Sequence, residues 1–127
     1  MMIDDPTVLA EVTAAFDLYE AALMANDIAV LDGLFWESAK ALRYGVGETL
    51  YGTEEIQAFR KARPGGSPQR RILRKSITTF GTDFATANVE FARDGGGPLG
   101  RQSQCWVRLP EGWRITAAHV SLQREFS

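Results

Sequence analysis

Residues 70–122 read RRILRKSITTFGTDFATANVEFARDGGGPLGRQSQCWVRLPEGWRITAAHVSL, a stretch that contains four candidate strands. Apolar and polar residues alternate along it, and turn-forming residues interrupt it three times. The candidate strands are Arg70–Phe80, Phe84–Arg93, Gly100–Leu109 and Trp113–Leu122. Because the connections at 81–83, 94–98 and 110–112 are short, we expect each strand to pair with its sequence neighbour in an antiparallel meander.

The segment before the meander has the pattern of three helices and one short hairpin. Asp5-Pro6 is a typical helix start, and apolar residues then recur at helical spacing as far as Leu23. Asn26-Asp27 ends this helix and begins a second one, and a third runs from Glu54 to about Ala62. Between the second and third helices, residues 41–51 predict a hairpin with its turn at 46–48.

Helices followed by a run of strands predict an α+β fold. We expect a cone-shaped, curved antiparallel sheet covered by three helices from the N-terminal half, in a single domain over residues 1–127. Such a sheet encloses a space under the helices and leaves its other face open to a partner.

Charge and composition narrow the range of functions. The formal net charge is −2 and no basic run is present, which argues against nucleic-acid binding. No apolar segment approaches the ~20 residues of a membrane-spanning helix. One histidine and one cysteine argue against a zinc site, and the lone Cys105 fits a reducing cytoplasm. We therefore expect a cytoplasmic protein without a metal or organic cofactor, a nucleic-acid partner or a membrane partner.

Arg43 is the first candidate for a functional residue, because it interrupts what otherwise resembles a buried strand. A guanidinium is always charged and is costly to bury without a partner. It therefore either faces a cavity that binds an anion such as a carboxylate, or forms an ion pair with Glu48, Glu90 or another acid, or lies exposed on an edge strand.

Tyr19 and His119 are the candidates for proton transfer and substrate orientation. Tyr19 lies on the apolar side of the first helix, where its phenol either meets Arg43 across the cone or bonds to a backbone carbonyl. The alternation Trp113, Ile115, Ala117, His119 places the only histidine on the concave face, either in the site or as an ordinary core residue.

Three further residues are candidates for substrate binding. The amide of Gln104 suits a urea or amide group, although a dimer contact would serve it equally well. Arg71 belongs to a basic cluster at 70–75 and is placed either at the pocket mouth or on a solvated strand edge. Tyr44 is next to Arg43 in the same short strand.

Several blocks of the chain carry a family resemblance. They are Arg43-Tyr44-Gly45 with Gly47-Glu48, Gly52-Thr53-Glu54-Glu55-Ile56, Phe80-Gly81-Thr82-Asp83, Gly100-Arg101-Gln102-Ser103-Gln104, and residues 113–121. This order resembles the nuclear transport factor two-like (SnoaL-like) superfamily, and within it the AtzH-like group, also called DUF3225, that is associated with oxalurate and ureide catabolism. The resemblance implies a cone-shaped fold, a homodimer across the open sheet face, a pocket between sheet and helices, and a small carboxylated urea-like substrate.

Two functional hypotheses follow, with a third in reserve. In the first, the protein is an enzyme without a cofactor: Arg43 holds the carboxylate of a ureido acid, and Tyr19 handles a proton during decarboxylation or amide hydrolysis. In the second, the protein is a dimeric binding or accessory module of ureide breakdown. The third, a polyketide or steroid cyclase or isomerase, predicts a large dry pocket without a central cation.

Overall fold

The computed structural model describes residues 1–124 of the chain. Three helices precede and interrupt a sheet of six strands. The helices are α1 (Pro6–Ala25), α2 (Ile28–Leu34) and α3 (Gly52–Ala62). The strands are β1 (Leu42–Tyr44), β2 (Thr49–Tyr51), β3 (Arg70–Phe80), β4 (Phe84–Arg93), β5 (Gly100–Leu109) and β6 (Gly112–Leu122). These bounds confirm the predicted elements, and the predicted domain of 1–127 extends three residues beyond the described part.

Helix α1 forms where the sequence predicts it, because both of its ends are capped. The Asp5 side chain accepts hydrogen bonds from the backbone N–H groups of Thr7 (3.0 Å) and Val8 (3.3 Å), which would otherwise lack partners. At the other end Asn26 adopts a left-handed conformation (φ 52°), and its N–H returns to the carbonyls of the last turn. The buried face of α1 then lies across the sheet. Its buried residues are Val8, Val12, Phe16, Tyr19, Ala22 and Leu23.

The four long strands form the predicted antiparallel meander, β3 to β6 in sequence order. The sheet as a whole is mixed, because β1 pairs parallel to β6, with Arg43 opposite Ala118. The complete order is β2-β1-β6-β5-β4-β3. The predicted curved sheet under three helices is confirmed, and it is antiparallel except at this one pair. No short turn links β1 to β6, so local sequence sets neither this pairing nor its direction.

A bulge in β6 decides which residues face the helices. Cys105 pairs with Ala117 while its neighbour Trp106 pairs with Ile115, so Thr116 is left without a counterpart on β5. The alternation of faces therefore shifts by one residue within β6. Ile115 is buried before the bulge, and the buried positions after it are Ala118 and Val120.

His119 consequently lies exposed on the outer face of the sheet. The expectation that it faces the cone is wrong, because the inserted residue reverses every later side chain of the strand.

The helices cover the inner face of the sheet and bury one hydrophobic core. Trp106 and Ile115 from the sheet are fully buried there, beside Val12 and Phe16 of α1. None of the helices in the described part of the chain is long and apolar enough to cross a membrane.

Gly100 shows how closely the inner face is packed. It pairs directly with Phe91 of β4, and a Cβ built on Gly100 would come within 2.2 Å of the Phe91 ring. The ring therefore covers the glycine, which has no side chain of its own to protect the strand.

We predict that Gly100→Ala lowers the free energy of unfolding by about 1–3 kcal/mol, because the Phe91 ring must move out of a packed core. Gly33→Ala is the matched control: Gly33 is in α2, nothing lies within 4 Å of its added Cβ, and its φ is ordinary. It is expected to stabilise the protein by about 0.5 kcal/mol. Urea unfolding measures both changes, and equal effects of the two variants would contradict this account of Gly100.

Candidate functional site

A small cavity lies between the C-terminal half of α1 and the end of the sheet formed by β1, β6, β5, β4 and β3. It leaves about 50 Å³ for the centres of water-sized molecules. That is room for a few waters or one small ion, since a single water needs roughly 10–15 Å³ on the same measure. Its polar lining includes Tyr19, Glu48, Gln102 and four arginines, Arg43, Arg63, Arg70 and Arg93.

Arg43 lies on the inner face of β1 and is only 6% exposed. Its Nη1 donates to Glu48 Oε1 at 2.7 Å, and its guanidinium lies 5.6 Å from the centre of the Phe59 ring. The Nε of Arg43 is buried without a hydrogen-bond partner. The structure thus combines two of the alternatives for this residue: it lines a cavity and it forms an ion pair with Glu48.

Arg70, at the start of β3, is the most completely bonded of the four arginines. It donates to both carboxylate oxygens of Glu20 on α1, from Nε at 2.9 Å and from Nη2 at 2.7 Å. Nη2 also donates to Gln102 Oε1 at 2.6 Å, and the guanidinium stacks 4.3 Å from the Phe91 ring centre. Its charge is therefore neutralised by a bidentate partner that a distant helix supplies.

Tyr19 reaches the same cavity from α1 and is 1% exposed. Gln102 Nε2 donates to the Tyr19 hydroxyl over 3.5 Å, which links the phenol through one amide to Arg70. Tyr19 and Arg43 both line the cavity, as the sequence analysis expects.

Arg60 lies close to Tyr19 and Arg43, and the sequence analysis did not predict that it belongs to this site. The sequence places it in the last turn of α3, where the helix dipole accounts for a cation. In the structure it is 8% exposed, with Nε 3.3 Å from Asp32 Oδ1 and its guanidinium 5.0 Å from the Phe35 ring centre. The ion pair lacks hydrogen-bond alignment, and both Nε and Nη2 of Arg60 are without partners. Burial lowers the pKa of Arg60 below its ordinary value, and the neighbouring Tyr19 partly offsets this.

The cavity carries an excess of positive charge. Among the described residues that line it, Glu48 is the only acid, and Arg70 is paired with Glu20. Within residues 1–124, no carboxylate lies within 4.0 Å of the guanidinium of Arg63 or of Arg93. Burial and then the nearby Arg43 lower the pKa of Arg63, although an arginine stays protonated. An anion is the species that this lining lacks.

Gln104 faces the inner side of the sheet but does not line the cavity. Its Oε1 accepts from Trp106 Nε1 at 2.9 Å, deep in the core. The glutamine that lines the cavity is Gln102. It lies two residues before Gln104, on the same face of β5 and about 6.6 Å nearer the start of that strand. The residue type and the face were predicted correctly, but the depth along the strand was not.

Arg71 is exposed and does not line the cavity, because its neighbour Arg70 has the inward orientation. Two adjacent arginines give no sequence signal for which of them faces inward. The pairing of Arg70 with Arg93 and of Ile72 with the buried Phe91 settles it in the structure.

Tyr44 and His119 lie together on the outer face, on the opposite side of the sheet from the cavity. Their rings meet edge to face at 5.5 Å, and the Tyr44 hydroxyl lies 2.8 Å from that of Tyr51. The hydrogen bond with Tyr51 raises the pKa of Tyr44. Neither residue lines the cavity, so His119 lacks its predicted inward orientation, and Tyr44, a candidate for substrate binding, is separated from the site of Arg43.

The chemistry that this lining offers is anion binding and proton transfer. Arginines and an amide provide hydrogen-bond donors for a carboxylate, and Tyr19 provides an exchangeable proton. Among residues 1–124, no three His, Cys, Asp or Glu side chains cluster closely enough to hold a metal ion.

Two ion pairs that join α1 to β3 give a matched test of the buried charges. The side chains of Arg70 and Glu20 are 4% and 16% exposed, whereas those of Lys75 and Asp17 are 37% and 61% exposed. We predict that Glu20→Gln lowers the free energy of unfolding by about 1–3 kcal/mol, because it leaves a buried guanidinium without a counter-charge. Asp17→Asn is expected to cost about 0–1 kcal/mol. Urea titration of both variants compares the costs, and a larger loss for Asp17→Asn would refute this ranking.

Comparisons with known proteins identify relatives over almost the whole chain. The sequence model of the AtzH-like family matches residues 1–125. A crystal structure of a DUF3225 family protein of unknown function from Pectobacterium atrosepticum is 56% identical, covers 96% of this chain and 95% of its own, and has a TM-score of 0.93. A cystatin-like fold protein from Burkholderia xenovorans is 46% identical, covers 99% of both chains and has a TM-score of 0.94.

More distant likeness extends to the superfamily and concerns the fold alone. A nuclear transport factor 2-like superfamily protein from Salmonella enterica is 23% identical over 95% of this chain and 94% of its own, with a TM-score of 0.77. No curated protein matches the sequence. The inner cavity, the mixed curved sheet and the match over residues 1–125 lead to one assignment: this chain belongs to the AtzH-like family and has the nuclear transport factor 2-like fold.

Proposed function

We propose that the protein is a cofactor-independent enzyme for a small carboxylated urea or ureido acid, which it decarboxylates or hydrolyses at an amide bond. The observation that carries this proposal is the position of Arg43, buried at the wall of a cavity whose cationic side chains outnumber its acids. A carboxylate supplies the missing negative charge, and a urea group has amide donors and acceptors that match Gln102.

The proposed reaction needs only groups that the cavity contains. Arg43 and Arg63 bind the carboxylate, and Tyr19 lines the same cavity. In a decarboxylation the bond between the carboxylate carbon and the urea nitrogen breaks, CO₂ leaves, and the electron pair stays on nitrogen. The Tyr19 hydroxyl donates its proton to that nitrogen and regains one from water. The hydroxide that remains carries the negative charge of the former carboxylate, so atoms and charge balance.

The size and polarity of the cavity favour this substrate class over the cyclase or isomerase alternative. A polyketide or steroid needs a large apolar pocket, of roughly 300–1,000 Å³ for drug-sized ligands. The cavity here leaves about 50 Å³ and contains four arginines. A ligand of a few heavy atoms with one negative group suits these dimensions better.

We predict that Tyr19→Phe lowers kcat by about 10²–10⁴, the usual contribution of one positioned proton donor. Arg43→Met is expected to abolish binding of the carboxylate. The test follows consumption of oxalurate, allophanate and carboxylated ureas. Arg74→Met is the matched control for Arg43→Met, because Arg74 is exposed and does not line the cavity.

Two outcomes would contradict the proposal that this cavity is an enzyme active site. If no ureido acid is consumed and Arg43→Met changes only ligand binding, the protein is the non-catalytic binding module. If Arg74→Met loses as much activity as the cavity variants, the reaction occurs elsewhere.

We also propose that the protein acts in the cytoplasm as a homodimer associated through the outer face of the sheet. The exposed aromatic side chains on this side support the proposal, since Tyr51 is 53% and Phe84 38% exposed. We predict a dimer mass in sedimentation at micromolar concentration. A monomer under those conditions would contradict the proposed contact.

A further inference from the structure

The β1–β2 turn places a carboxylate directly on the central arginine. Glu48 uses both of its side-chain oxygens there: Oε1 accepts from Arg43 Nη1 at 2.7 Å, and Oε2 accepts from the backbone N–H of Gly47 at 3.3 Å. A backbone hydrogen bond from Gly45 N–H to the Glu48 carbonyl, 2.8 Å long, closes the turn. The carboxylate is thus held at both oxygens and through its own backbone.

Gly45 provides the space that this carboxylate occupies. A Cβ added at Gly45 would lie 1.7 Å from Glu48 Oε1 and 2.8 Å from Oε2. No real contact is that short, so any side chain at position 45 would expel the Glu48 carboxylate from its place. The backbone of Gly45 is not in the left-handed region, so the glycine is needed here for space rather than for conformation.

We infer that Glu48 is a positioning residue, which fixes the Arg43 guanidinium against the cavity, and that Gly45 is required for that function. Glu48 engages Nη1 and leaves Nε buried without a partner. Nε is enclosed by protein, so an anion in the cavity meets the other donors of the guanidinium instead. The orientation imposed by Glu48 therefore determines which donors of Arg43 remain for an anion.

The opposite function for Glu48 is that of a competing anion, which a substrate carboxylate must displace. The structure favours positioning because the Gly47 N–H bonds to the carboxylate, the Gly45 N–H fixes the Glu48 backbone, and Gly45 leaves the space that the carboxylate occupies. Arg63 and Arg93, which have no carboxylate within 4.0 Å in residues 1–124, keep the cavity cationic while Glu48 stays bound. The two functions predict opposite changes in affinity when the carboxylate is removed.

The experiment compares two glycines of the same turn. Gly45→Ala expels the carboxylate and keeps every charged group of the site, whereas Gly47→Ala adds a methyl group with nothing within 4 Å. Neither position has a positive φ, so both variants are compatible with the backbone. Glu48→Ala and Glu48→Gln form a second pair, since glutamine keeps an oxygen that accepts from Nη1 and alanine does not.

The first readout is the Arg43 Nε–H signal in nitrogen-15 NMR, assigned by its loss in Arg43→Met, and it needs no ligand. We expect a slowly exchanging signal in the wild type, Gly47→Ala and Glu48→Gln, and a fast-exchanging one in Gly45→Ala and Glu48→Ala. The second readout is calorimetric binding of oxalurate, which we expect to weaken about tenfold in Gly45→Ala and Glu48→Ala, the size of one hydrogen bond to a charged group. Gly47→Ala is expected to bind like the wild type.

This inference rests on the proposed anion site, but the two fail in different ways. If Gly45→Ala and Glu48→Ala bind oxalurate more tightly, or leave the Arg43 signal unchanged, the positioning function is overturned while the anion site stands. If the Arg43 signal responds as expected and the wild type binds no oxalurate, the proposed substrate class fails and the control of Arg43 by Glu48 stands.

Discussion

The structure depends on how it accommodates guanidinium groups between a helix layer and a sheet. Arg43, Arg60 and Arg70 each have side-chain exposures below 10%, where an uncompensated charge is costly. Each has an acid beside it: Glu48 from the adjacent turn for Arg43, Asp32 from α2 for Arg60, and Glu20 from α1 for Arg70. The Glu20–Arg70 pair joins residues 50 positions apart, so it forms only when α1 lies across the sheet. Burial of these charges and assembly of the cone therefore require each other.

The three pairs differ in how completely they are satisfied, and that difference separates structural from functional groups. Arg70 donates to two carboxylate oxygens and an amide oxygen. Arg43 keeps an unpaired Nε, and Arg60 keeps an unpaired Nε and Nη2. Native proteins rarely leave buried donors unpaired, and the exceptions call for an explanation. Arg43 and Arg60 both adjoin Tyr19, whereas the other unpartnered donors, Thr79 Oγ1 and Gln104 Nε2, lie away from the cavity.

The sequence alone predicts those features of the fold that depend on residues close together in the chain. The capped helix α1 and the meander of β3 to β6 follow from spacing and short turns, and the inward Arg43 follows from a charge in an apolar strand. The misplaced residues all depend on register over longer distances. Ala117 and Ala118 fit either face of β6, so nothing in the sequence marks the bulge at Thr116 that turns His119 outward. The choice of Arg70 over Arg71 is likewise a matter of register, which a shift of one residue reverses.

The shortness of β1 explains why side chains on both faces support it. Its ladder with β6 spans three residue pairs, Leu42 to Tyr44, which is few hydrogen bonds for a strand that presents the central arginine. On the inner face Glu48 holds Arg43, and on the outer face Tyr44 packs edge to face on His119 and bonds to Tyr51. Successive residues of a strand point to opposite faces, so the contacts of Tyr44 outside restrain the backbone that carries Arg43 inside. The bulge that removes His119 from the cavity thereby gives it a position from which it steadies the same strand.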